Sequence, residues 1–412
     1  NYNITKTEGT LKVTPVTDKV TVTITGNTGS EKYDGNSHKV TGYTSKFSNG
    51  LYTEANFKFS GKAEASRTDA GQTDMGLAAE QFTNTSANFT NVEFVVTDGY
   101  SKVNKRKVTL TSASDKKVYD GNALTNNKVT ASVDGFAKGE GATYDVTGSQ
   151  TETGSSKNTF TYTLNEGTKA ENYNITPVEG TLEVTPVTDK VVVEINGKTK
   201  TVTYNGNTQE VEGYDVTKVS NTLYPEEAIH FEGAAKASRK DEGTSYMGLN
   251  VSQFSNTSAN FTNVTFKVTD GWLKVNPKSI TPDGPNTPED KKTGIKVTKP
   301  SDTMYNGEEQ KNKPTVKDTK TGAILKENVD YTLSYTAAVN AGTVEVTITG
   351  KGNYTGTAKK SYEITKRKVT MTSGSASKVY DKKALTKDEV TVSGDGFAKN
   401  EGATYNVTGS RT

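Results

Sequence analysis

Five Tyr-Asp or Tyr-Asn pairs recur at near-regular spacing. Four continue into glycine, as Tyr33-Asp34-Gly35, Tyr119-Asp120-Gly121, Tyr204-Asn205-Gly206 and Tyr305-Asn306-Gly307, and the fifth reads Tyr380-Asp381-Lys382. An aspartate held at such a place could act as a general acid or base, or ligate a cation. Acid–base work needs an ionisable group, and Asn205 and Asn306 have none. The interchange of Asp and Asn within one chain points to a tight turn, where an Asp-Gly or Asn-Gly pair supplies residues that tolerate positive φ. Lys382 puts that turn in doubt in the last copy.

The other chemistry-bearing residues give no constellation. The two histidines, His38 and His230, fall at unrelated places, and a zinc site needs three or four clustered ligands. There is no cysteine, which removes disulfides, zinc–thiolate sites, cysteine nucleophiles and thioester crosslinks. No nucleophile elbow, P-loop or dinucleotide fingerprint appears. Asp18, Asp98, Asp189 and Asp270 lie near repeat junctions and offer the hard oxygens that calcium takes. No Asp-x-Asp-x-Asp-Gly loop exists, however, and Lys19 and Lys190 neighbour two of them. A Lys–Asn isopeptide crosslink would need a buried lysine, an asparagine and an acid together, and no strand carries one lysine on an apolar face in every repeat. Tyr52, Tyr100, Tyr224 and Trp272 are of the type that stacks on sugar rings, although packing at a module end explains Tyr100 and Trp272 as well. The expectation is no catalytic site, no cofactor and no metal.

These residues are positioned by repeats. The five motif tyrosines are separated by 86, 85, 101 and 75 residues. A second marker, asparagine followed by an aromatic, closes each repeat at Asn1-Tyr2, Asn88-Phe89, Asn172-Tyr173, Asn260-Phe261 and Asn353-Tyr354. The repeats are of three types. Type A spans 17–104 and 188–276, and both copies end in Asn-Thr-Ser-Ala-Asn-Phe-Thr-Asn-Val. Type B spans 105–187 and recurs truncated at 366–412, both opening with Lys-Arg-Lys-Val-Thr. Residues 1–16 match 172–187 and read as the tail of a further type B copy. Type C spans 291–365. Residues 277–290 hold four of the ten prolines and read as a semi-rigid linker. The chain therefore reads as beginning and ending inside a repeat.

Inside each repeat the apolar period is two. Val20–Ile24, Val191–Ile195, Phe160–Leu164 and Val344–Ile348 alternate or nearly alternate apolar with polar residues, as half-buried strands do. Turn signals such as Asp34-Gly35, Asn49-Gly50 and Asp98-Gly99 recur every 8–12 residues or so. About seven strands are expected per type A repeat, with helix limited to single turns near Leu77–Phe82 and Leu249–Phe254. Short, evenly spaced strands in repeats of this size imply β-sandwiches. The predicted fold class is all-β, with tandem Ig-like β-sandwich modules in an elongated, monomeric rod.

Composition agrees with this. Lys plus Arg number 50 against 48 Asp plus Glu, for a net charge of +2, so no one-signed field attracts nucleic acid or a membrane surface. No apolar run approaches transmembrane length. Hydrophobic residues make up only 31%, as suits small cores shared among several small modules.

The type A run Tyr33-Asp34-Gly35, Asp69-Ala70-Gly71, Met75-Gly76-Leu77, Gln81-Phe82, Asn88-Phe89 and Val96-Thr97-Asp98-Gly99-Tyr100 resembles the bacterial adhesin repeats called MBG domains. The type B run Val118-Tyr119-Asp120-Gly121, Gly141-Ala142-Thr143-Tyr144, Phe160-Thr161-Tyr162 and Asn172-Tyr173-Asn174-Ile175 is similar to the related YDG repeats. The resemblance implies Ig-like stalk modules of a large cell-wall-anchored surface protein of a Gram-positive bacterium. On that basis the chain is a non-enzymatic, extracellular spacer presenting a distal binding domain. The alternative it leaves open is that the modules themselves bind host glycan or host protein by avidity.

Overall fold

The computed structural model describes residues 1–412. Contacts divide the chain into two compact units, Asn1–Asp189 with Ser258–Thr262, and Lys190–Thr257 with Asn263–Thr412. Regular structure is β throughout, and the helical segments are three-residue 3-10 turns such as Ala79–Gln81 and Val251–Gln253. The modules are β-sandwiches.

In the first type A segment, the central strand Val20–Gly26 runs antiparallel to Tyr43–Phe47 and parallel to Val92–Thr97. Its alternation is the reason for its place. Val20, Val22 and Ile24 are all at most 1% exposed, while the threonines between them face outward. Full burial of each such side chain contributes about 1.5–3 kcal/mol. Phe82 lies across the same core, stacked on Phe59 at 4.7 Å and on Phe94 at 5.8 Å. A second layer places Tyr100–Asn104 between Thr28–Lys32, parallel, and Gly71–Asp74, antiparallel. The second type A segment repeats this plan, with Val191–Gly197 between Tyr214–Val219 and Val264–Thr269. The first type A segment holds ten short strands rather than seven, because brief pairs such as Phe57–Phe59 with Phe82–Asn84 are too short to show a period.

In the complete type B segment, Arg106–Ser112 lies between Val129–Ala131 and, in parallel, Tyr173–Val178. Gly180–Thr185 lies between Asp115–Val118 and Gly154–Asn158. Tyr2 is 94% and Leu11 100% exposed, whereas their counterparts Tyr173 and Leu182 are 3% and 0% exposed.

The type C segment is a four-stranded sheet in the order Thr303–Met304, Thr357–Thr365, Gly342–Gly350, Tyr331–Tyr335, faced by Ile295–Val297 paired with Val316–Asp318. Here the sequence expectation is corrected. Residues 277–290 are not an open linker. Lys278–Ser279 is a strand paired in parallel with Tyr354–Thr355, and Ile280 is fully buried in the type C core. Asp283 then accepts the backbone N–H groups of Thr293 and Gly294 at 2.6 and 2.8 Å. The prolines at 277 and 282 bracket a strand of two residues, and Ile280 is its only apolar signal.

Candidate functional site at the module joints

The Asp or Asn of each Tyr-Asp/Asn motif does the same local job. Its side-chain oxygen accepts the backbone N–H two residues on, from Asn36, Asn122, Asn207, Glu308 and Lys383, all at 2.8–2.9 Å. This is an Asx turn, which a carboxylate and an amide close equally well. Gly35, Gly121, Gly206 and Gly307 follow at φ 79–84°. Lys382 takes the same left-handed region at φ 57°, so the last copy keeps its turn. The N–H of Asn36, its side chain and His38 hold the Asp34 carboxyl at about 2, well under the ordinary carboxylate value.

The turn delivers the motif tyrosine to the next module. Tyr33 meets Tyr173 edge to face, with ring centroids 5.5 Å apart. Both hydroxyls donate to Glu140, one to each carboxylate oxygen, at 2.5 Å. Burial and the Glu140 hydrogen bond push the Tyr33 hydroxyl up to about 12, and the same causes raise Tyr173. Tyr33 and Val103 from the first type A module share one apolar cluster with Val108, Leu110, Ala137 and Tyr173 of the type B module. The two modules thus meet through a core rather than a hinge.

Beside the rings sits an amide clamp. Asn172, fully buried, accepts the backbone N–H of Ala70 at 2.7 Å and donates to Asp69 at 2.9 Å. Lys169 donates to the other oxygen of Asp69 at 2.6 Å. Those two partners, Lys169 foremost, hold the Asp69 carboxyl below its usual range. Arg67 shapes the receiving loop by donating to the carbonyls of Asp69 and Ala70. Gly71 is required there, since its φ is 135° and a Cβ would lie 2.3 Å from the Arg67 guanidinium.

The same joint recurs. Tyr119 meets Phe261 at 5.8 Å, Asn260 accepts the N–H of Thr153 at 2.8 Å, and its amide donates to Glu152. Tyr204 meets Tyr354 at 5.6 Å, Asn353 accepts the N–H of Glu242 at 2.7 Å, and donates to Asp241 at 2.9 Å. Asn88 is exposed. Two motifs some 140–150 residues apart in the chain are therefore the two halves of one interlock. Sequence reading found both halves and missed their union. The signal available was that each half recurs once per module and carries a buried-type aromatic.

One position in the joint varies with module type. The residue paired in parallel with the marker aromatic is Val16 or Val187, just ahead of each type A segment, Arg106 for type B and Lys278 for type C. Arg106 reaches across the joint, donating to the carbonyl of Tyr33 at 3.2 Å and, in its own module, to Gly135 at 2.9 Å and to Asp134. Arg367 repeats this fan onto Tyr305 and Gly396, and Tyr305 donates to Glu401 as Tyr33 does to Glu140. Lys278 instead turns inward to Asp318 at 2.6 Å.

The remaining candidates have local roles. Asp98 accepts the N–H groups of Gly76 and Leu77, and Asp270 those of Gly248 and Leu249, at 2.9–3.0 Å. Asp18 and Asp189 are exposed, and no group of three or more His, Cys, Asp or Glu is placed to hold a metal. His38 contacts Asp34 at 2.9 Å. Tyr52 and Tyr224 are 1% and 4% exposed and donate to Asn84 and Asn256 inside their modules, so neither is available to a sugar. Tyr100 and Trp272 are half-buried. No helix is long and apolar enough to cross a membrane.

No protein-family model matches the chain, and no curated protein matches it. Among solved structures it is similar to Sidekick-1 immunoglobulin domains 1–5, at 10% identity over 93% of this chain and 84% of that one, with a TM-score of 0.22. It is also similar to the N-terminal eight Ig domains of the Down Syndrome Cell Adhesion Molecule, at 11% identity over 84% of this chain and 57% of that one, with a TM-score of 0.17. A third likeness is to Drosophila N-cadherin EC1-4, at 9% identity over 84% of this chain and all of that one, with a TM-score of 0.17. Scores of that size carry no argument, and the fold rests on the chain's own strand pairing.

Proposed function

We propose that the chain is a spacer region of a bacterial cell-surface adhesin, built of MBG- and YDG-type modules and presenting a distal binding domain outside the cell. The observation that supports this reading is the repeated joint. A chain of independently tethered modules has no use for a clamping asparagine, a ring pair and a carboxylate at each of these contacts. A distance-setting array does, because such contacts hold the end of a module against the loop it meets. The reading is non-catalytic, in keeping with the Asp or Asn of every motif being engaged by the N–H two residues on. The competing reading, binding of host glycan or protein by avidity, needs the same patch on each module. The exposed Tyr246 lies opposite Trp272 in one type A module, but Asp74 lies opposite Tyr100 in the other.

Small-angle scattering tests the spacer. A compact globule of this length has a radius of gyration of about 22 Å. A spacer requires a value well above that, with a cross-section of one module. A value close to the compact one would end the reading.

A further inference from the structure

Lys278 and Asp318 are the two charged residues that are buried in the whole chain, at 6% and 0% exposure, and they face each other. Burying two ions is costly, and their attraction seldom more than offsets it. The surroundings are specific. Lys278 Nζ lies 2.6 Å from Asp318 Oδ2, which also accepts the Tyr354 hydroxyl at 3.2 Å. Asp318 Oδ1, on the far side of the carboxyl, accepts the backbone N–H groups of Lys320 and Thr321 at 2.9 and 3.3 Å. Both residues adjoin core positions, Ile280 and Val316. An amine thus stands against one edge of a carboxyl whose other edge is held by two N–H donors.

We propose that this is a site of intramolecular isopeptide formation, joining Lys278 Nζ to Asp318 Cγ within the type C module. The pair begins as ammonium and carboxylate. A proton passes along the short hydrogen bond from Nζ to Oδ2, giving a neutral amine and a carboxylic acid as the reactive form of the pair. The Nζ lone pair attacks Cγ, and the carbonyl electrons move to Oδ1, where the N–H groups of Lys320 and Thr321 receive the developing charge. The Tyr354 hydroxyl relays a second proton from nitrogen to Oδ2. The Cγ–Oδ2 bond breaks and Oδ2 leaves as water with both protons, leaving one N–H on the new amide. No other reactant is needed. Fixed proximity supplies effective molarities on the order of 10⁵–10⁸ M, which turns an unfavourable condensation in water into a favourable one in the fold. The type A valines and type B arginines at the matching position have no amine to offer, so the crosslink is confined to type C.

The test is mass spectrometry of the purified full chain. The expected mass is lower than the sequence mass by one water. Trypsin should fail to cut after Lys278 and should yield a branched peptide joining residues 275–291 to Asp318-Thr319-Lys320. Lys278→Arg should restore the full mass and linear peptides. Tyr354→Phe should slow crosslinking several-fold in a time course after refolding. The full sequence mass for the wild type, or a mass deficit with only linear peptides, as an aspartyl succinimide would give, overturns the proposal. The inference stands apart from the spacer reading, which its failure would leave untouched.

Discussion

The joint entered by Tyr33 and the joint entered by Tyr204 are built on the same positions but place their cation differently. In both, a motif tyrosine meets the marker aromatic of the following module edge to face, and the marker asparagine clamps a loop N–H and its carboxylate. At the first, Arg106 spreads its guanidinium over carbonyls on both sides of the joint. At the second, Lys278 withdraws from the joint and pairs with Asp318 inside its own module. Arginine has five donors in a planar fork and bridges several acceptors at once, whereas lysine is a compact charge suited to one buried partner. The rings and the amide therefore make the joint, and the cation decides whether charge reinforces the contact between modules or the interior of one.

The largest effect should come from stranding one member of the buried pair. Asp318→Leu removes the partner of Lys278, whether held as an ion pair or joined as an amide, and the uncompensated buried ammonium should destabilise the type C module by about 3–5 kcal/mol. Denaturant melting followed by hydrogen exchange at Val344–Ile348 reads this module by itself. No change there would mean that Lys278 escapes to solvent, and the contrast between the joints would lose its basis.

Removing the amide comes next. Asn172→Ala leaves the Ala70 N–H without its partner and Asp69 with Lys169 alone, and should weaken the contact by about 1–3 kcal/mol. Asn88→Ala, at an exposed copy of the marker, should cost nothing measurable in this chain. Equal effects would show the asparagine to be a local turn former.

Arg106→Lys sharpens the cation comparison. A single ammonium cannot reach Tyr33, Asp134 and Gly135 together, and the expected loss is about 1 kcal/mol. It should appear as faster exchange at the joint with the interior of each module unchanged.

The smallest effect concerns pH. The folded-state value of Asp34 is depressed, so its contribution is complete above the ordinary carboxylate range and is lost as pH falls through about 2. Asn205 fills the same turn and does not titrate. The amide resonance of Asn36 should therefore shift with a midpoint near that value, while that of Asn207 stays put. Titration of both would place the effect elsewhere.

Much of this was legible in the sequence, for physical reasons. Val20, Val22 and Ile24 announce their strand because a half-buried strand has a period of two. The Asp/Asn interchange announces the turn because an Asx turn needs an acceptor and not a charge. The parallel pairing of Val20–Gly26 with Val92–Thr97 was not legible, since nothing local records a partner some 70 residues away. Lys278–Ser279 was hidden by flanking prolines and by its brevity. The joint was hidden because its halves were each explicable alone, Tyr33 as a turn residue and Asn172 as a repeat marker. Only the fold brings Asn172 to Ala70.

Amide hydrogen exchange at Ala70, Thr153 and Glu242 in the full chain tests the joint most directly. These three N–H groups sit in loops outside the strands and donate to Asn172, Asn260 and Asn353 respectively. The account predicts that all three are protected at least about tenfold over free loop amides. It also predicts that Asn172→Ala releases Ala70 alone. Exchange of the three at the rate of free loops in the unaltered chain would contradict the interlock.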